Sequence, residues 1–143
     1  MSSKISMELA NHRLQQAKED LLASKILYDK KLYKSSNSRA YYSIFHSIRS
    51  VLALEPIDFK RHKDVIAYFN KNYVHSEIFP KQIGRKISNA SKLRDDSDYD
   101  DEFIVNPEDS LSQIKTAEEL MVLVENYISN INNWLKGDIL CKK

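Results

Sequence analysis

Scarcity of chain-breaking residues constrains this chain more than any other feature: 143 residues hold only 2 Gly and 3 Pro. Sandwiches and doubly wound sheets of this length turn often and need many more such residues, so the expected fold is all-α. Apolar periodicity divides the chain into five helices with short connections, an up-and-down bundle. The length fits one helical domain, 1–143, with a core that needs no metal or disulfide.

Helix one is expected over 5–31, with Leu9, Leu14, Ala17, Leu21, Ile26 and Tyr28 as its apolar positions. Helix two covers 37–55; Ser35 or Ser36 caps it and Pro56 ends it. Helix three starts near residue 63, carries Val65, Ile66, Phe69 and Tyr73 on one side, and breaks near Pro80. Helix four covers 81–98 and buries Ile83, Ile87 and Ala90, with Leu93 beside them. Gly84 weakens its first turn by roughly 1 kcal/mol relative to alanine. Helix five starts at the cap Asn106 and Pro107, with Glu108 and Asp109 at the positive end of its dipole. It runs to about Lys136, where Gly137 stops it, and buries Leu111, Ile114, Ala117, Met121, Val124 and Ile128.

A formal net charge of +2 is too small to announce a nucleic-acid or membrane-surface protein. The distribution is more telling. Residues 57–94 hold nine Lys or Arg against three acids, and residues 95–109 hold eight acids and no base. Lys60, Arg61, Lys63, Arg85 and Lys86 are the candidate RNA-phosphate contacts. Alternatively, the acidic loop folds over the basic helices and neutralises them, within one chain or across a dimer.

Two constellations could carry chemistry. On helix two, Arg39, Ser43, His46 and Ser50 gather opposite Tyr41, Ile44, Phe45, Ile48, Val51 and Leu52, with Tyr42 and Arg49 flanking. Arg39 and His46 lie two turns apart on one face, where they could hold a phosphate and move a proton, as RNA cleavage requires. A solvated or dimer-facing polar stripe explains the same spacing. On helix four, Arg94 continues the buried face, so it needs an anionic partner, and Asp98 one turn later is the natural one. Such a pair could equally tie the helix end to a neighbour.

Other chemistries lack their motifs. The Asp-rich run has neither the glycine nor the bidentate glutamate of a calcium loop. There is no Glu-x-x-His pair for a di-iron bundle, and Gly84 and Gly137 alone build no phosphate loop. No metal or other cofactor is therefore expected, and His12, His62 and His75 read as scattered. Cys141 is alone, near a tail expected to fray, so nothing points to disulfides or secretion. The first residues lack an apolar signal core and no run approaches a membrane span, so a soluble cytoplasmic protein with no membrane partner is expected.

The string Ser38-Arg39-Ala40-Tyr41-Tyr42-Ser43-Ile44-Phe45-His46-Ser47-Ile48-Arg49, followed by Val51-Leu52, resembles the second helix of the HEPN family (higher eukaryotes and prokaryotes nucleotide-binding). It is most similar to the small stand-alone prokaryotic branch. Lys60-Arg61-His62-Lys63 with Phe69, then Leu93-Arg94 through Asp98-Tyr99-Asp100, match that branch in order and spacing, so the resemblance spans roughly residues 8–135. It implies a helical bundle, usually a homodimer. It also implies a metal-independent endoribonuclease using an arginine and a histidine separated by four to six intervening residues, near the dimer interface. Many such proteins are toxins encoded beside a nucleotidyltransferase antitoxin; in others the bundle helps bind nucleotides.

The chain departs from that motif where active relatives often place it: after Arg94 it offers Asp98 and Tyr99 and no histidine. Arg39 and His46 are the only pair with the six-residue gap. Two functions follow. One is a dimeric toxin-like ribonuclease, packed through helices two and four, drawing its catalytic groups from Arg39, His46, Arg94, Asp98 and Tyr99. The other is a non-catalytic module that pairs with a nucleotidyltransferase and helps position its nucleotide.

Overall fold

The computed structural model describes the backbone of residues 3–140 and the side chains of residues 5–136, and Cys141 lies outside the described residues. Five α-helices follow in order: α1 (Ser3–Asp29), α2 (Tyr33–Leu52), α3 (His62–Phe69), α4 (Lys81–Tyr99) and α5 (Pro107–Leu140). No strand occurs among the described residues. The fold is the expected all-α bundle.

Helix α2 is its axis and packs against α1, α3, α4 and α5. Tyr41, Ile44, Ile48 and Val51 are at most 1% exposed and meet Phe69, Ile83, Ile87, Leu120 and Val124 from the surrounding helices. Burying each such side chain contributes about 1.5–3 kcal/mol, which is why this stripe fixes the fold.

Several local expectations need correction. Helix α2 starts at Tyr33, and its N-cap Leu32 makes no side-chain cap bond. Ser36 is not a cap; it is buried inside the first turns, exchanging hydrogen bonds with Ser24. The α1–α2 connection is set instead by the end of α1, where Lys31 adopts φ 64°. The Lys31 N–H donates to the Tyr28 carbonyl and the Leu32 N–H to the Leu27 carbonyl, closing the helix in the pattern usually given to glycine. Helix α3 ends at Phe69 and passes into a π turn, Asn70–Val74. Ile26 is 52% exposed and Leu111 37%, because each sits at the edge of its helix's apolar stripe. Helix α5 starts as expected, with the Asp109 N–H donating to Asn106 Oδ1 at 2.7 Å, but continues through Gly137. One glycine costs roughly 1 kcal/mol in a helix and does not by itself end it.

Gly84 has a positive role. A Cβ there would lie 2.7 Å from Val74 Cγ1, so the missing side chain lets the π turn rest on α4.

The α1–α2 seam is built from small residues seven apart on each helix. Ser50 Oγ donates to the Ala10 carbonyl, Ser43 Oγ to the Ala17 carbonyl, and Ser24 and Ser36 each donate to the other's carbonyl, all at 2.7–2.8 Å. All six residues are fully buried. The hydroxyls satisfy themselves on carbonyls of the opposite helix, so close backbone approach costs no orphaned polar group.

Candidate active site

The seam rotates the polar face of α2 away from its expected setting. Ser43 and Ser50 do not belong to a solvated stripe; they are sealed against α1. After Ser38, the residues of α2 that are not buried are Arg39, Tyr42, His46 and Arg49. Their three- and four-residue steps make one line along the helix.

Helix α1 supplies the counter-charge. Asp20 is 8% exposed, and a carboxylate so placed needs a partner. Arg39 Nη1 donates to Asp20 Oδ1 at 3.1 Å, and His46 Nε2 lies 3.7 Å from Asp20 Oδ2. Arg13, two turns before Asp20, donates to the Arg49 carbonyl at 3.0 Å. Burial lowers the pKa of His46; Asp20 opposes this, while Arg49, His62 and Arg13 add to it. The ring is therefore neutral at pH 7 and able to accept a proton.

Arg94 adjoins this line. Its Nε lies 2.8 Å from Asp98 Oδ2, its Nη1 3.4 Å from Asp95 Oδ1, and its Nη2 donates to the Tyr42 hydroxyl at 3.0 Å. The guanidinium sits 5.1 Å and 5.5 Å from the ring centres of Tyr41 and Tyr42. The expected Arg94–Asp98 pair is present, and Tyr42 joins it to α2. The Tyr42 ring centre is also 6.2 Å from that of His46. The α2 and α4 constellations are therefore one continuous surface. Tyr99 stands at the end of α4, 80% exposed.

Sequence reasoning passed over Asp20 and His62. Asp20 falls outside the apolar periodicity of α1 and is given meaning only by Arg39 and His46, which the chain places nineteen or more residues away. A hint existed: Arg13 and Asp20 share the seven-residue spacing of Ala10, Ala17 and Ser24. His62 opens α3 and stacks on Phe45 with ring centres 3.8 Å apart.

The candidate RNA contacts scatter. Arg61 is paired with Asp64 at 2.8 Å, and Lys86 with Glu119 of α5 at 2.6 Å. Lys60, Lys63 and Arg85 are exposed. Lys63 lines a hollow with Lys92, Asp95 and Asp96, while Arg85 lines another with Asn70, His75 and Lys81. The acidic loop does not blanket the basic helices. Among the described residues, the ion pairs made by residues 95–109 go to Arg94.

Among the described residues, no helix is long and apolar enough to cross a membrane. Residues 10–127 match the model of the HEPN domain. Two proteins of Methanocaldococcus jannaschii, each named "Putative toxin", are similar to this chain. One is 32% identical over 120 residues, covering 84% of either chain. The other is 26% identical over 125 residues, covering 87% of this chain and 84% of that protein. A UPF0332 protein of Thermotoga maritima is 25% identical over 115 residues, 80% of this chain and 87% of its own. A matched domain model across most of the bundle, a helix α2 whose open line carries Arg39 and His46, and these relatives place the chain in the HEPN family.

Proposed function

We propose that this toxin-like HEPN protein is a metal-independent endoribonuclease, acting as a homodimer and restrained by a nucleotidyltransferase antitoxin. One observation carries the reading: the only open line of α2 bears Arg39, Tyr42, His46 and Arg49, with Asp20 behind the imidazole. Arg39, whose side chain is 54% exposed, is free to swing from Asp20 to a phosphate. Arginine at the scissile phosphate stabilises charge that builds in the pentavalent transition state, and neutral His46 takes the 2′-hydroxyl proton. In the dimer, α2 and α4 of two chains would meet so that both lines border one cleft.

The test is cleavage of single-stranded and structured RNA in EDTA by the parent, Arg39→Ala, His46→Ala and Arg94→Ala proteins, each checked for folding. Loss in His46→Ala supports the reading; intact RNA with the parent at high concentration sinks it.

One observation favours the second reading, a non-catalytic module that pairs with a nucleotidyltransferase. Arg94 is engaged by Asp98, Asp95 and Tyr42, with its side chain 15% exposed, as an arginine that shapes a surface would be. Co-purification with a nucleotidyltransferase encoded beside the gene, without RNA cleavage by the parent, is the result that reading expects.

A further inference from the structure

We infer that His62 is the second proton-transfer group of this site, beside the same two rings, Tyr42 and Phe45, that His46 borders. The inference rests on the ribonuclease reading and adds a residue from another element. Both imidazole ring centres lie within 6.2 Å of that of Tyr42 and within 5.7 Å of that of Phe45. Both rings therefore border the same aromatic pair, near enough for the charge of His62 to bear on His46.

Each imidazole is held from behind. His46 turns Nε2 towards Asp20, 3.7 Å away, whose charge favours a proton on that side and so Nδ1 as the base. His62 places Nδ1 3.3 Å from the Tyr41 hydroxyl. Tyr41 is 1% exposed and its phenol is pushed up to about 12 by burial, so it keeps its proton and can donate or accept as the imidazole requires. That leaves His62 Nε2 for a ligand. Burial lowers the His62 pKa, Arg94 and Arg49 lower it further, and Asp95 opposes them. The phosphate charge that a substrate brings to this surface opposes the two arginines and favours the protonated form of His62.

The step balances with no other reactant. Neutral His46 takes the proton of the 2′-hydroxyl as that oxygen bonds to phosphorus. The bond from phosphorus to the 5′-oxygen breaks, and protonated His62 gives its proton to that oxygen. The products are a 2′,3′-cyclic phosphate and a 5′-hydroxyl, with His46 protonated and His62 neutral until solvent resets them.

His62→Phe tests this, because phenylalanine keeps a ring on Phe45 but carries no proton. Two substrate pools are used, oligonucleotides randomised around one ribonucleotide, with oxygen or sulfur as the 5′ leaving atom. A thiolate leaves without a proton. The expected result is at least a hundredfold loss on the oxygen pool and near-parental rate on the sulfur pool, while His46→Ala fails on both. If His62→Phe cleaves the oxygen pool normally, or loses both pools equally, His62 is not the acid and the ribonuclease reading still stands. If the parent cuts neither pool, that reading falls and this inference falls with it. Should His62→Phe melt early, His62→Gln takes its place on the same two pools.

Discussion

Two carboxylates lie half-hidden in this bundle, and they do different work. Glu55, just beyond α2, accepts hydrogen bonds from the hydroxyls of Tyr68 and Tyr73, with Tyr127 of α5 packed on Tyr73. Burial, with the hydrogen bond to Glu55 and its charge, pushes the Tyr73 phenol well above its ordinary value, so this hydroxyl keeps its proton. Asp20 is shared between an arginine that is half exposed and an imidazole that is neutral at pH 7. A carboxylate whose partners are fixed phenols strengthens a fold; one whose partners can swing or titrate is available to chemistry.

Mutating each cluster separates them. The largest expected effect is on activity: His46→Ala lowers RNA cleavage at least a hundredfold, with a melting temperature close to the parent's, read by a cleavage assay and calorimetry on the same samples. A hundredfold loss accompanied by early melting would erase the contrast. Glu55→Ala should do the reverse. It strands the Tyr73 hydroxyl and costs about 2 kcal/mol in denaturant unfolding, while cleavage per folded molecule is unchanged. Tyr73→Phe, which removes one of the two hydrogen bonds, should cost about 1 kcal/mol in the same measurement.

The smallest effect is on pH dependence. His46 and His62 both have folded pKa values below the unfolded 6.5. The folded state then binds fewer protons, so stability is full above about pH 7 and declines as pH falls through 6.5 towards their folded values. A melting curve taken from pH 7.5 to 5.5 should show this fall. It should be shallower in His46→Gln, whose side chain no longer titrates.

The helices and most of the core were legible because their signal is local. Val65, Ile66 and Phe69, or Ile83, Ile87 and Ala90, repeat at helical spacing and are buried as read. Periodicity also found Arg39 and His46, but it set the polar face of α2 wrongly. It could not tell that serines at 43 and 50 would close on alanine carbonyls of α1 rather than on water. Asp20 and His62 were missed for a related reason. Each matters only through a neighbour that is distant in sequence, and no spacing rule within one helix reports that.

The serine–alanine seam therefore acts as a ruler. Its contacts recur every seven residues, so α1 can slide along α2 only in steps of about 10.5 Å without orphaning hydroxyls. One such step would carry Asp20 wholly past His46. The uncharged part of the interface thus sets the alignment of the charged part. Lengthening α1 by one residue between Ala17 and Asp20 would pull Asp20 out of line with Arg39 and His46 while leaving all three side chains present.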